Sequence, residues 1–261
     1  MQIRFLFLCI YACFHELSIA SMVSDYSSAV SLDKYGNSIQ LQYAQEGASR
    51  YGMPIVAATY DGGVMVVALR TSKPGIVSTK SIIMELSCLS PRIGLACTGI
   101  KADVRWLVSK LREKRKSVWE TYDVNGLSRK RTQEAMKHAL LVFLGYSRDK
   151  ELHDGLVVDS EENWARPLGV LSMMLSHEGP ITVIDPSGAA QHFMARAIGQ
   201  SSKTLNEKLE ERYKENLTSD EIQTILIDIM KETFEQVNEG SEFIIETLTS
   251  HGVSRSEELS Q

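Results

Sequence analysis

The stretch IGLACTGIKADVR, residues 93–105, joins a strand pattern to a helix pattern. Its first five residues are apolar, and such a short apolar run is typical of a buried strand. From Lys101 onward the pattern changes, because Val104, Leu107 and Leu111 recur at helical intervals with charged residues between them. The stretch therefore predicts a strand followed directly by an amphipathic helix.

Upstream of this point the sequence predicts three more strands. Residues 54–58 and 64–70 flank Asp61-Gly62-Gly63, a turn sequence typical of a hairpin, and residues 82–89 are a further candidate. The strands are almost continuously apolar, which predicts a sheet that is covered on both faces.

Downstream, pairs of helices alternate with groups of strands. A second helix is predicted over residues 132–146, and the polar, acidic residues 147–163 are interpreted as a surface loop or insertion. Strands then return, and two more helices follow, the second of which begins at the capping-box spacing Thr218-Ser219-Asp220-Glu221. The remaining predicted elements are strands at 168–176 and 181–184, one returning strand at 189–197, and a helix at 202–215.

The order of these elements predicts the fold class α+β. Two antiparallel sheets packed face to face, each covered by a layer of helices, satisfy both the order and the apolar strands. We therefore expect a four-layer αββα sandwich over residues 52–250, preceded by an arm and helix at 22–51 and followed by a C-terminal tail at 251–261.

The composition excludes several functional classes. The 261 residues include 43% hydrophobic residues and carry a net charge of −5, which gives no electrostatic reason to bind nucleic acid or an anionic membrane. The four cysteines form no CxxC pair, the six histidines show no HExxH spacing, and GxSxG and GxxxxGK[ST] motifs are absent from the sequence. We expect no catalytic residue, no metal, no cofactor, and neither nucleic acid nor membrane as a partner.

The first 21 residues are considered separately from the fold. One positive charge, an apolar run at residues 5–14 and small residues at 18–21 fit a secretory signal peptide. The run is too short for a membrane-spanning helix of roughly 20 residues. Two interpretations stay open: a signal-like leader over residues 1–21, or a gene-model extension with translation starting at Met22.

Four segments in a fixed order resemble proteasome alpha subunits. They are GNSIQLQYAQEG at 36–47, IGLACTGIKADVR at 93–105, RPLGV at 166–170, and GP, DPSG and ARAIG at 179–180, 185–188 and 195–199. The resemblance implies the fold of the N-terminal nucleophile hydrolase superfamily and a place in the outer ring of the 20S proteasome core. The insertion at 147–163 and residues 195–199 are similar to those of the type-5 alpha subunit.

The resemblance also implies a chain that is not an enzyme. Catalytic members of the superfamily use a Thr, Ser or Cys at a free amino terminus, because the α-amine acts as base for its own side chain. Laid against the beta-subunit pattern, that position falls near Met53, and the supporting Asp and Lys positions fall at Leu69 and near Glu85. None of the three carries the residue type that catalysis needs.

For an alpha subunit the resemblance implies contacts with neighbouring alpha subunits, with the beta ring and with regulatory particles or other activators. The segment before the N-terminal helix would gate the axial pore, although the family's Tyr-Asp-Arg motif reads Tyr26-Ser27-Ser28 in this chain. The expected gate-arm residues are Tyr26, Tyr35 and Gly36, and the expected ring-contact residues are Gln40, Tyr43 and Glu46.

The residue expected in the activator pocket is Glu85. At the matching position the family has a lysine that pairs with the C-terminal carboxylate of a docking activator. A glutamate replaces this attraction by like-charge repulsion, so we expect weakened docking at this pocket.

The implied function is ring assembly, substrate gating and activator docking in ubiquitin-dependent protein degradation, in cytoplasm and nucleus. The alternative is a diverged secreted or stand-alone binding protein with the same fold. Cleavage of the leader and a glycan on Asn216, which lies in an Asn-Leu-Thr sequon, would favour this alternative.

Overall fold

The computed structural model of the chain describes residues 32–71, 81–87, 92–122, 128–143, 166–234 and 241–258. The leader over residues 1–21, Tyr26 of the expected gate arm and the expected insertion at 147–163 lie outside the described residues. No helix within the described ranges combines the length and the apolar character that crossing a membrane requires.

The described residues form helices and strands in alternating groups. The helices are α1 Ile39–Tyr51, α2 Lys101–Tyr122, α3 Arg129–Phe143, α4 Ser202–Arg212 and α5 Ser219–Thr233. The strands are β1 Ile55–Tyr60, β2 Gly63–Thr71, β3 Met84–Ser87, β4 Ile93–Gly99, β5 Val170–Ser176, β6 Ile181–Ile184, β7 Ala190–Phe193, β8 Ala195–Ile198, β9 Ser241–Thr249 and β10 Gly252–Glu258.

The strands build two antiparallel sheets of five strands each. The first sheet has the order β10-β9-β2-β1-β8, and the second has the order β3-β4-β5-β6-β7. The hairpin β1–β2 pairs Tyr60 with Gly63 across the predicted Asp61-Gly62 turn. The hairpin predicted from the turn sequence is therefore confirmed.

Three hydrophobic clusters separate four layers of secondary structure. Val66 of the first sheet and Leu175 of the second belong to the cluster between the sheets. Leu107 of α2 packs against the outer face of the second sheet, and Leu226 of α5 packs against the outer face of the first. Each fully buried side chain of this kind contributes about 1.5–3 kcal/mol relative to exposure. The predicted αββα sandwich is confirmed.

The continuous apolar pattern of β2 follows from this layering. Successive side chains of a strand point to opposite faces of its sheet. Val64 and Val66 face the second sheet, whereas Met65 and Val67 face the helices α4 and α5. Because both faces are covered, no position of the strand core requires a polar residue.

The start of α5 is fixed by its first turn. The hydroxyl of Thr218 accepts a hydrogen bond from the Glu221 backbone N–H, and the Glu221 carboxylate accepts one from the Thr218 backbone N–H. The hydrogen bond from the Thr218 backbone, aided by that from its hydroxyl, lowers the pKa of Glu221. The predicted capping box is confirmed.

The single returning strand predicted at 189–197 is wrong. β7 pairs with β6 in the second sheet as far as Phe193, and β8 pairs with β1 in the first sheet from Ala195 onward. Met194 lies between them, and its carbonyl oxygen accepts hydrogen bonds from the backbone N–H and the hydroxyl of Thr59. The chain thus crosses from one sheet to the other, which closes one edge of the sandwich.

The tail expected at 251–261 is wrong for most of its length. Residues 252–258 form β10, the outermost strand of the first sheet, paired with β9. Gly252 follows the turn with φ of +128°, a conformation that favours glycine. The strand is polar because it lies at the sheet edge. A prediction based on hydrophobic patterns therefore does not detect it.

Candidate functional site

The start of β1 is where a catalytic relative would carry its nucleophile, and backbone groups enclose it here. The carbonyl oxygen of Met53 accepts a hydrogen bond of 2.7 Å from the Thr98 hydroxyl, and that of Gly52 accepts one of 3.0 Å from the Gln200 N–H. A Cβ at Gly199 would lie 2.3 Å from the Met53 carbonyl oxygen, so this close approach requires glycine. Met53 is joined by peptide bonds to α1 and has no free α-amine.

The structure brings together only two of the three positions laid against the catalytic pattern. The Leu69 N–H donates to the carbonyl oxygen of Pro54, the residue after Met53. Glu85 pairs instead with Gly94 in β4, four residues before Thr98, which places it about 13 Å along the strand.

The position inferred for Glu85 beside Met53 is therefore wrong. Laying the sequence against the beta-subunit pattern did not fix the register of β3, which shifts between Glu85 and Ser87.

The Glu85 carboxylate is partly exposed and ion-paired. It accepts a 2.9 Å hydrogen bond from Nη1 of Arg92, whose Nε donates to the carbonyl oxygen of Ser250. The side chain of Glu85 is 37% exposed and that of Arg92 is 21% exposed. An uncompensated negative charge, as the sequence suggested, is therefore not present at Glu85.

Helix α1 lies against β4 and β5 and presents its other side to solvent. Ala48 is fully buried, and the side chain of Gln45 donates a 3.2 Å hydrogen bond to Asp185. Tyr43 is 59% exposed, and Glu46, three residues along and so on the same side, is also exposed. Of the expected ring-contact residues, Tyr43 and Glu46 share this open face.

Gln40, the third expected ring-contact residue, is half-buried near the start of α1. The N-cap of this helix is Ser38, whose hydroxyl accepts a hydrogen bond from the Leu41 N–H. Gln40 therefore belongs to this first turn; it lies three residues before Tyr43, and so on the same side of the helix, but it is less exposed than Tyr43 and Glu46.

The turn before α1 contains Tyr35 and Gly36 and is organised by Asp33. One carboxylate oxygen of Asp33 accepts 2.8 Å hydrogen bonds from the backbone N–H groups of Tyr35 and Asn37. These bonds, that from Asn37 above all, lower the pKa of Asp33. Gly36 has φ of +84° and Tyr35 is 76% exposed. The sequence analysis missed Asp33, although Asp followed by Gly three residues on is typical of a turn.

Asp103 connects two of the motif segments. Both of its carboxylate oxygens accept hydrogen bonds from Arg166, at 2.6 and 2.7 Å, and one also accepts from the Gly169 N–H at 3.0 Å. Burial by itself would raise the pKa of Asp103, but the hydrogen bonds and charge of Arg166 and the Gly169 N–H hold it below its ordinary value. The segments at 93–105 and 166–170 therefore form one structural unit.

Glu246 is a buried carboxylate in the layer between the sheets. It lies in β9 with zero exposure, and its Oε2 accepts hydrogen bonds from the Ser81 hydroxyl and from the N–H groups of Ile82 and Ile83. Arg255 of β10 is its cross-strand neighbour. Glu246 thus fixes the position of residues 81–83, which lead into β3. No motif in the sequence indicated this role of Glu246.

A family model described as "Proteasome subunit" matches residues 49–248. The chain belongs to the proteasome subunit family. The match begins in α1 and ends in β9, so it includes elements of all four layers and every strand of the two sheets up to β9; β10 lies beyond it.

Known relatives place the chain among alpha-type subunits. "Proteasome subunit alpha type-5" of Drosophila melanogaster is 27% identical over 231 residues, covering 87% of this chain and 89% of that protein. "Proteasome subunit alpha type-2" of Dictyostelium discoideum is 28% identical over 219 residues, covering 82% and 85%. A "Probable proteasome subunit alpha type-5" of Schizosaccharomyces pombe is 24% identical, covering 88% and 89%. The chain is a divergent alpha-type subunit.

Several exposed side chains lie near the start of the domain, on α1 and on the turn before it. Among the described residues no group of three or more His, Cys, Asp or Glu side chains could hold a metal ion. The exposed groups there include the aromatic rings of Tyr35, Tyr43 and Tyr51 and the charged pair Glu46 and Arg50. These groups are suited to packing and ion pairing with another protein.

Proposed function

We propose that the chain is a non-catalytic structural subunit in the outer ring of the 20S proteasome core. It would assemble with neighbouring alpha subunits and with the beta ring, and it would serve ubiquitin-dependent protein degradation in cytoplasm and nucleus. The observation that carries this proposal is the start of β1, where Met53 stands in a continuous chain with its carbonyl oxygen bound by Thr98.

Proteolysis by this chain would need a free α-amine and a nucleophilic side chain at the start of β1. Met53 offers neither, and Leu69 beside it offers no carboxylate to orient a base. The proposal therefore assigns bond cleavage to other subunits and assembly to this one.

Assembly is proposed to use the open face of α1. Tyr43 and Glu46 lie on that face, and aromatic side chains surrounded by polar groups are typical of protein interfaces. The turn with Tyr35 and Gly36 precedes this helix and is proposed as the base of the gate arm.

Activator docking is proposed to be weak at Glu85. An incoming C-terminal carboxylate would meet the Glu85 carboxylate and would have to compete with it for Arg92. We expect a peptide with the C-terminal sequence of an activator to bind Glu85→Lys particles more tightly than the unaltered particle, with Glu113→Lys on α2 as the matched control. Strong binding to the unaltered particle that is lost in Glu85→Ala would contradict this proposal.

The experiment that tests the function is affinity purification of the tagged chain from its own cells. We expect polypeptides of both alpha and beta type to be recovered in amounts comparable to the tagged chain. Recovery of the 29.2 kDa chain without such partners would overturn the proposal.

A second candidate is the secreted or stand-alone binding protein. The apolar run at residues 5–14 favours it, and so does Asn216, which is exposed and lies outside the helices in a left-handed conformation. Sequencing of the mature amino terminus separates the two: a start at Ser21 together with a glycan on Asn216 would favour the secreted protein.

A further inference from the structure

The two helical layers of the sandwich differ strongly in charge. α2 and α3, here called the basic layer, contain eleven Lys and Arg against four Asp and Glu, a net charge of +7. α4 and α5 on the opposite side contain four Lys and Arg against seven Asp and Glu, a net charge of −3. Since the whole chain has a net charge of −5, the positive charge is concentrated on one side of the molecule.

The acidic side chains of the basic layer are already neutralised. Glu113 pairs with Lys110 at 3.1 Å, Glu120 pairs with Lys116 at 3.6 Å, and Glu134 pairs with Lys137 at 3.7 Å. The fourth, Asp103, is buried against Arg166. Five exposed cations of the layer have no carboxylate within ion-pair distance among the described residues: Lys101, Arg105, Arg112, Lys130 and Arg131.

Three of these cations form a line along α2 together with Lys116, which is exposed and pairs with Glu120 of the same helix. Lys101, Arg105, Arg112 and Lys116 follow one another at intervals of four, seven and four residues. At 100° per residue these positions fall within an arc of about 60°, and at 1.5 Å per residue they span about 22 Å. At one end of this basic stripe Ile100 is 47% exposed, which adds an apolar contact beside the charges.

We propose that the basic stripe of α2 docks an acidic helix or strand face on another subunit of the particle. The inference rests on the proposed function, because it needs a hetero-oligomer that contains such a subunit. Carboxylates spaced four and seven residues apart on a partner helix would match the stripe, and each ion pair at the rim of an interface guides the partner's orientation.

Other occupants fit the charges less well. A nucleic acid would gain from the basic stripe but would be repelled by the acidic remainder of a chain whose net charge is −5, and the RNA measurement below separates it from an acidic protein surface. A second copy of the chain would have to offer its α4–α5 side, where Glu232 is already paired with Arg212 and Lys208. An acidic surface on a different polypeptide is therefore the occupant that the charges favour.

The first test is carbodiimide cross-linking of the intact particle purified through the tagged chain. This reagent joins a lysine amine directly to a carboxylate, so it reports only close ion pairs. We expect Lys101 and Lys116 to be linked to Asp or Glu of another polypeptide, and exposed Lys203 on α4 to serve as the matched control without such links.

Each outcome of the cross-linking decides one of the two proposals. An assembled particle without links from the stripe, or with links only to a second copy of this chain, would overturn the docking inference. A chain that never enters a particle would overturn the proposed function, and the inference with it.

The second test reverses the charge of the stripe. We expect Arg105→Glu/Arg112→Glu to lower the incorporated fraction about tenfold, because like charges facing each other across an interface are unfavourable. Lys203→Glu/Lys214→Glu makes the same change in net charge away from the stripe and should incorporate normally. Equal incorporation of both variants, at unchanged thermal unfolding temperature, would contradict the inference. Binding of a single-stranded RNA oligonucleotide that the stripe variant loses would also overturn it in favour of a nucleic acid.

Discussion

Asp103 is the single residue that ties two distant parts of the chain together. It is almost fully buried and accepts three hydrogen bonds, two from Arg166 and one from the Gly169 N–H. Asparagine keeps one acceptor oxygen, but it places an amide donor where the other oxygen stood and removes the charge that pairs with Arg166. We expect Asp103→Asn to lower the free energy of unfolding by about 1–3 kcal/mol, measured by urea denaturation. The control Glu113→Gln removes an exposed helical pair and should cost less than about 0.5 kcal/mol. Similar losses in both variants would contradict this role.

The same residue predicts the direction of a pH effect. The pKa of Asp103 in the folded chain lies below its ordinary value of 3.8. The folded state therefore binds fewer protons than the unfolded state at this group, and its stabilising contribution is full above pH 3.8. It is lost as the pH falls through the lower folded value. The difference in the free energy of unfolding between the unaltered chain and Asp103→Asn should therefore be full above pH 3.8 and shrink as the pH falls below it. A difference that stays constant with pH would contradict the assignment.

Glu246 is expected to stabilise the segment 81–83, which leads into β3. Glu246→Ala leaves the Ser81 hydroxyl and the N–H groups of Ile82 and Ile83 without their shared acceptor, and we expect a loss of about 3 kcal/mol or more. Glu246→Gln keeps an acceptor oxygen and should lose less. Hydrogen exchange at residues 82 and 83 provides the measurement: exchange should accelerate in Glu246→Ala, and unchanged protection would exclude the proposed anchoring.

At the level of secondary structure, the capping box of α5 is a local device with a local test. We expect Thr218→Ala to lower the free energy of unfolding by about 1 kcal/mol, since it removes the acceptor for the Glu221 N–H. Thr224→Ala in the same helix is the matched control, because its hydroxyl bonds only to a carbonyl oxygen already inside the helix. Equal destabilisation by the two variants in thermal unfolding would show that the cap is unimportant.

Elements defined by local chemistry could be predicted from the sequence, and elements defined by distant partners could not. The β1–β2 turn and the α5 cap depend on neighbouring residues, and both predictions are confirmed. The division of 189–197 at Met194 depends on Thr59, which lies far away in the sequence. Local patterns carry no information on such partners.

The candidate site divides in the same way. Met53 was placed correctly at the start of β1, because the strand pattern after it is unambiguous. Glu85 was placed beside it by laying the sequence against the beta-subunit pattern, and the register of β3 against β4 contradicts that placement. Asp33 and Glu246 act through hydrogen bonds to backbone groups, which leave no periodic trace in the sequence.

For the whole molecule, the distribution of charge says more than the net value. A net charge of −5 combines a basic layer of +7 with an opposite layer of −3. The sandwich topology separates these layers, because the helices between β4 and β5 cover one sheet and those between β8 and β9 cover the other. A chain of this kind is suited to a fixed orientation between unlike neighbours.

The measurement that tests the central claim most directly is a cryo-electron microscopy map of the particle purified through the tagged chain. We predict that density for this chain lies in the outer ring, with Tyr43 and Glu46 of α1 buried against a neighbouring subunit. A chain found outside the ring, or an α1 face that remains exposed within it, would contradict the claim.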